Sequence, residues 1–373
     1  MKGDGRIAIF VFYHEYGMIY TDTIDRIKDL KKSVSYLIVV VNGSVQKRQL
    51  LEEIADVVLI RENKGYDAYA YQYALFHLDC RQKIDHCSTL VLCNDTFFGP
   101  FIPFKDIFSD MEGEQADFWG LSLFDNGLLR HIQSYFLVFR KRMLEDGILY
   151  HYFEKYIPKG AVSYAEVCHF LESKLYDYFC SRGYQYGSYT KETNHNINVD
   201  LLDYLRIGVP VIKKKFFGNY YDASTFMDAL TYMQDQYAYD INRFVRIVKE
   251  QYGIAIDREK VPGLKKTVTV KRPYCIRKEE IVKFLIDKSE CYLYGIGIYA
   301  NYIFDMILSE NLAKFKGFIL TETDGEQQDY KGYPVIPAER SYGKNMIVAM
   351  SFINSREVEQ MLGRKSNILY LWP

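Results

Sequence analysis

The chain has 373 residues, more than one hydrophobic core normally serves, with 49% hydrophobic and 25% charged residues, so two packed domains are expected and intrinsic disorder is excluded. A net charge of −1 and the absence of a long Lys/Arg run argue against a dedicated nucleic-acid or acidic-membrane surface. Seven cysteines, at 80, 87, 93, 168, 180, 275 and 291, are odd in number and scattered, which suits reduced, buried thiols.

In chain order, residues 6–12 form an apolar run, Thr21 to Lys32 an amphipathic stretch, and Leu37 to Val41 a second run, which reads as β-α-β. The cycle repeats with Val57 to Ile60 as strand, Asp67 to Leu78 as helix, and Thr89 to Cys93 as strand. Uninterrupted apolar strands alternating with helices predict a mostly parallel sheet covered on both faces. Two further strands are expected over Phe118 to Leu123 and Gln133 to Phe139, around a turn at Asp125-Asn126-Gly127. A helical block from Ser163 to Arg182 follows, then a Tyr-rich helical pattern over Ala223 to Gln251 and a charged connector, 258–278. An α/β rhythm restarts at Cys291 to Tyr294. The expected division is 1–220 for the main α/β domain, 221–285 for a helical extension, and 286–373 for a small Rossmann-like domain. The N-terminal residues lack the apolar core of a secretory signal and no run suits a membrane span, so a cytoplasmic protein is expected, with any membrane contact peripheral.

Three polar tracts fall at the carboxyl ends of the predicted strands, where open α/β sheets bind ligands: Asn42-Gly43-Ser44, Asn63-Lys64-Gly65 and Asn94-Asp95-Thr96. Asp95 stands where a carboxylate reaches a metal bridging two phosphates, with Asn94 and Thr96 as further oxygen donors; the tract also reads as an Asx turn closing a strand. Gly65 permits close backbone approach, and Asp67 is placed to cap a helix or to meet ligand hydroxyls. Glu166, near a helix start, is a candidate general base and equally a residue favoured there by the helix dipole. Arg130 and Lys64 offer positive charge to phosphates; His131 and Gln133 are candidates for orienting a sugar, although a strand histidine also serves structure. In the last segment, Gly295, Gly297 and Ala300 follow a strand and precede a helix in the spacing of a dinucleotide-binding turn, with Glu322 near the place of a ribose-binding acid.

The tracts Arg61 to Asp67, Leu92 to Phe101, His131 to Phe136 and Gly208 to Lys213, in that order, resemble the rhamnan synthesis protein F family. The resemblance implies a bacterial, polysaccharide-assembling glycosyltransferase of GT-A fold, serving cell-wall or lipopolysaccharide synthesis. It further implies a nucleotide-sugar donor such as dTDP-rhamnose, a divalent cation (Mg or Mn), a lipid-linked or growing glycan acceptor, and peripheral work at the inner membrane face. By the same resemblance Asn94-Asp95-Thr96 falls at the Asp-x-Asp metal motif, with Asp95 its one remaining acid. Asn63, Gly65 and Asp67 fall on donor-binding positions, and Glu166 near the acceptor-activating carboxylate. Two other readings stay open: a non-catalytic sugar-nucleotide-binding scaffold, and an NAD-dependent sugar-modifying enzyme acting through the C-terminal turn.

Overall fold

The computed structural model describes residues 5–157, 162–237, 239–254, 275–321 and 329–372. Glu322 and connector residues 258–274 lie outside the described residues. The chain divides into two compact units. One holds Met1–Phe124, Ile132–Ala161 and Asp177–Lys271; the other holds Asp125–His131, Val162–Tyr176 and Arg272–Pro373. This division is not the linear one expected from the sequence. Helices Ala223–Gln236 and Ile241–Tyr252, read as a separate extension, fall within the first unit, because Phe226, Leu230, Met233, Phe244 and Val248 share a core with Phe98 and Phe101. Conversely, 125–131 and 162–176 group with the C-terminal segment.

In the first unit the four apolar runs become strands β1 (Arg6–Tyr13), β2 (Tyr36–Asn42), β3 (Val57–Arg61) and β4 (Thr89–Asn94). They pair in parallel, β4 and β2 flanking β1 and β3 outside β2. Except at β3, their residues are buried on both faces, which is why they read as continuous hydrophobic runs rather than alternating ones. Next come β5 (Phe97–Phe98), β6 (Phe118–Gly120), β7 (Leu123–Asp125), β8 (Arg130–Ile132), β9 (Phe136–Arg140), β10 (Tyr186–Ser188) and β11 (Ile212–Lys213). The seven-stranded sheet runs β10-β6-β9-β4-β1-β2-β3. It is mixed rather than purely parallel, since β9 lies antiparallel to both β4 and β6. A small sheet of β5 paired antiparallel with β11 accompanies it, while β7 and β8 pair with each other at the two ends of the stretch 125–131, which groups with the second unit.

The helical layer of this unit is held by terminal residues as much as by its core. Asp222 Oδ1 accepts from the Thr225 amide at 2.7 Å and Asp240 Oδ1 from the Arg243 amide at 3.0 Å, each capping a helix start. The second of these helices ends at Gly253, in the left-handed region at φ 69°. The predicted block 163–182 is two helices, Tyr164–Leu171 and Ser173–Cys180, broken at Glu172, whose φ −117° and ψ −91° leave the helical region.

The second unit carries β12 (Glu290–Tyr294), β13 (Lys314–Leu320), β14 (Asp329–Tyr330), β15 (Tyr333–Pro337), β16 (Met346–Val348) and β17 (Ile368–Tyr370). Their order is β14-β15-β13-β12-β16-β17, parallel except for the β14–β15 pair. Winding therefore starts at β12 and proceeds outward on both sides. All seven cysteines are free thiols, five of them buried. Among the described residues no helix is long and apolar enough to cross a membrane.

Candidate functional site

The carboxyl end of β4 gathers side chains from four separate stretches of the first unit. Asn94 closes the strand and is buried; its Nδ2 donates to Asp67 Oδ2 at 2.8 Å. Its Oδ1 accepts from the Thr96 amide at 3.2 Å and from Thr96 Oγ1 at 2.6 Å. These partners fix which end of the amide faces which neighbour. Thr96 Oγ1 in turn accepts from Lys213 Nζ. The result is one directed chain, Lys213 to Thr96 to Asn94 to Asp67, running from an ammonium to a carboxylate.

Asp95 sits beside this chain, held by backbone: its amide donates to Val11 O at 3.1 Å, and the Tyr13 amide donates to its Oδ2 at 3.4 Å. Burial pushes the Asp95 carboxyl up from its ordinary value, while the charges of Lys214 and Arg26 pull it back down. Behind it lies a buried ionic group. Asp22, 8% exposed, meets Arg26 at 3.0 Å and Lys214 at 3.4 Å, and Gln251 Nε2 donates to it at 2.5 Å. Arg26, 3% exposed, also donates through Nε to Gly99 O at 2.8 Å, and its guanidinium lies over the Phe97 ring.

The loop before the Tyr66–Phe76 helix is shaped by neighbours on the strands. Arg61 donates to Asn42 Oδ1 at 2.6 Å and to Lys64 O at 2.9 Å, and Asn42 Nδ2 donates to Tyr66 O at 3.0 Å. Gly65 has φ 68°, and a Cβ there would come within 2.1 Å of the Tyr69 ring, so glycine is required twice over. Asn63 and Lys64 are exposed, and Lys64 is ion-paired with Glu62 at 2.8 Å.

Asp67, Asn94 and Thr96 are thus joined directly, and Asp95 stands between the last two. Gln133 also belongs to the first unit, its amide bonded to Ser122 O at 3.1 Å. Arg130, His131 and Glu166 belong to the second unit. Arg130 lies 3.3 Å from Asp125 and buried His131 3.3 Å from Glu172. Glu166 forms a capping box: its Oε2 accepts from Ser163 N and Oγ, both at 2.8 Å, while Ser163 Oγ accepts from the Glu166 amide. Gly295 has φ 105° and lies close to Ala349 and Met350; Gly297 caps the Ile298–Glu310 helix; Ala300 is fully buried.

Residues that sequence reading gave no role are Asp22, Arg26, Lys214 and Gln251, and Lys213, which it quoted only for resemblance. The ribbon of β5 with β11 brings the lysines in: Ile212 pairs with Phe98, Lys213 with Phe97, and the Lys214 amide donates to Thr96 O at 2.9 Å. Their one local signal is the triplet Lys213-Lys214-Lys215 after an apolar stretch. As a cage for a divalent cation the surroundings of Asp95 fit poorly. Asp67 Oδ2 and Asn94 Oδ1 are engaged, two positive side chains lie within electrostatic reach, and among the described residues no three His, Cys, Asp or Glu groups gather as ligands.

The family model for rhamnan synthesis protein F matches residues 37–283, more than half of the chain. The chain belongs to that family. The span matched to rhamnan synthesis protein F contains Asn63, Asp67, Asn94, Asp95, Thr96 and Lys213. Virulence protein VirA of Vibrio anguillarum is 26% identical over 223 residues, covering 57% of this chain and 68% of that relative. Among solved structures, the glycosyltransferase GlyE of Streptococcus pneumoniae TIGR4 aligns over 98% of this chain and 92% of its own, at 11% identity and a TM-score of 0.33. A CMP:2-keto-3-deoxy-manno-octonic acid synthetase complexed with CTP aligns over 50% of this chain and 89% of its own, at 10% identity and a TM-score of 0.30.

Proposed function

We propose that this chain is an inverting, GT-A-like glycosyltransferase of glycan assembly, moving rhamnose or a related deoxysugar from a nucleoside diphosphate to a growing or lipid-linked polysaccharide. Membership of the rhamnan synthesis protein F family supports the class. The observation that carries the reading is the polar rim at the end of β4, where Asp95 stands beside the directed chain from Lys213 to Asp67. Ligands of open α/β sheets collect at that edge.

In the reaction the acceptor hydroxyl oxygen attacks the anomeric carbon, and the bond from that carbon to the phosphate oxygen breaks. Its electron pair departs on the diphosphate, the acceptor proton passes to a carboxylate base, and the configuration inverts. Lys213 faces the charge that develops on the diphosphate, and a preorganised cation there costs no reorganisation at the moment of transfer. Asp95 and Asp67 accept from donor hydroxyls. Glu166 is the carboxylate proposed as that base.

Release of nucleoside diphosphate from a panel of nucleotide-sugars tests this. One donor is expected to be consumed, with glycan product formed, and Asp95→Ala should lower turnover per folded molecule by about a hundredfold or more. Unchanged turnover in Asp95→Ala removes that residue from the mechanism; no release from any donor removes the transferase reading. Glu166→Gln keeps an acceptor for the capping box and deletes the base, so lost turnover at an unchanged midpoint separates its two tasks.

A further inference from the structure

We propose that Asn42 and Arg61 are positioning residues of the nucleotide-sugar site: together they clamp loop 63–66 in its binding-ready shape, so that Asp67 meets the ligand without prior ordering of the loop. This rests on the transferase reading above, and extends it to how the ligand contact is prepared.

The clamp is built from two neighbouring strand ends. Asn42 closes β2 and is buried; Arg61 closes β3 and stands opposite it in the parallel register. Arg61 Nη1 donates to Asn42 Oδ1 at 2.6 Å and Nη2 to Lys64 O at 2.9 Å, while Asn42 Nδ2 donates to Tyr66 O at 3.0 Å. Both ends of the Asn42 amide are therefore in use, one on the guanidinium and one on the loop. Because a peptide is planar, tying the carbonyls of Lys64 and Tyr66 sets the plane that enters Gly65 and the plane that leaves Tyr66.

Between those planes the backbone is left-handed twice in succession, with φ 68° at Gly65 and 53° at Tyr66. Glycine adopts that conformation freely, whereas a tyrosine is strained in it. Such strain persists only where the surroundings impose it, and it collects at sites whose shape serves a ligand. Here the bond from Asn42 to Tyr66 O helps to impose it. The strained residue lies at the carboxyl rim of the sheet, one step before Asp67, which accepts from Asn94. One backbone step thus connects the clamp to a carboxylate that the transferase reading assigns to the sugar hydroxyls.

The part of Arg61 is geometric. Two of its nitrogens serve two different neutral oxygens at once, which suits a planar fork and not an ammonium on a flexible stem. Burial lowers the Arg61 pKa from its ordinary value, so the guanidinium has given up water to make these bonds. A loop ordered in advance loses less conformational freedom when the ligand arrives, and affinity gains by that difference.

Calorimetric titration of the full chain with the diphosphates of adenosine, guanosine, cytidine, uridine and thymidine tests the proposal, each Kd being referred to the folded fraction. At least one is expected to bind. Asn42→Ala and Arg61→Met should each weaken that binding by about tenfold. Arg61→Lys should weaken it about as much as Arg61→Met, since the charge survives and the fork does not. The double variant should bind no more than about threefold worse than either single one, because both remove the same clamp. In turnover of the nucleotide-sugar the loss should fall on KM more than on kcat. Asn42→Asp, which keeps the acceptor for Arg61 and deletes the donor to Tyr66 O, replaces the alanine variant if that one fails to fold. Arg61→Lys binding as well as the unaltered chain makes the residue a simple charge and overturns the clamp. So does a fully additive loss in the double variant, a loss confined to kcat, or unchanged affinity in the Asn42 and Arg61→Met variants, and in each case the transferase reading stands. No binding of any of the nucleotides by the unaltered chain overturns both.

Discussion

The two units each contain a buried polar network, and they differ in one respect. In the first, the chain from Asp67 through Asn94 and Thr96 to Lys213 begins among buried groups and ends on an exposed threonine and a half-buried lysine at the edge of the sheet. In the second, His169 Nδ1 is bonded to Ser173 Oγ at 2.9 Å and His169 Nε2 to Asp305 Oδ2 at 3.1 Å, with Lys174 also on Asp305. On paper Ser173, His169 and Asp305 are the components of a nucleophilic triad. Yet Ser173 and His169 are each 1% exposed, so no substrate reaches the hydroxyl. The trio braces helix Tyr164–Leu171 against helix Ile298–Glu310, and its worth is structural. Residue types and distances nominate a site; an open end decides it.

The contrast can be strained from either side. The largest effect is expected at Gly65, where Gly65→Ala meets both the left-handed backbone and the Tyr69 ring, costing about 3 kcal/mol in urea unfolding. Nucleotide binding should weaken with it, because the loop that Gly65 terminates lies at the rim. Asp305→Ala removes the shared acceptor of His169 and Lys174 and should destabilise by about 2 kcal/mol, with turnover per folded molecule unchanged. Lost turnover at full stability there would make the sealed network functional and undo the contrast.

Acidification probes the same cluster. Burial lowers His169 below its usual 6.5. Burial also pushes the Asp305 carboxyl up, but the hydrogen bond from His169 and the charge of Lys174 outweigh it and hold the group well below 3.8. Both pKa values are depressed in the folded state, so their contributions are present above the unfolded values and are lost as pH falls through the folded ones. Thermal unfolding should therefore show stability falling below about pH 6.5, and Asp305→Ala should steepen that fall, because the Asp305 hydrogen bond and charge are what hold the His169 pKa up against burial. The smallest effect is expected from Ser173→Ala, about 1 kcal/mol for one hydrogen bond, with no change in turnover.

Much of this architecture was legible in the sequence, for identifiable reasons. Strands β1 to β4 lie within a residue of the limits expected from the sequence, because burial on both faces of β1, β2 and β4 leaves unbroken apolar runs of strand length bounded by polar residues, and β3 keeps such a run although it is only half-buried. The break at Glu172 was not readable, since periodicity continues across it. Nor was the reach of 125–131 and 162–176 into the second unit, which depends on contacts distant in sequence. At the rim, the polar tracts showed because they follow strands. Lys213 and Lys214 did not, because β5 and β11 are two residues each, too short for any period, and pair across more than a hundred residues.

That short ribbon also sets an order of events during synthesis. Thr96 and Lys213 are 117 residues apart, so at about 5–20 residues per second the ribosome needs roughly 6–23 s to deliver the lysine after the threonine. Through that interval Thr96 lacks its lysine partner, and Phe98 lacks the helical residues that share its core. The rim can therefore be complete only after residue 213 has been made and β11 can pair with β5.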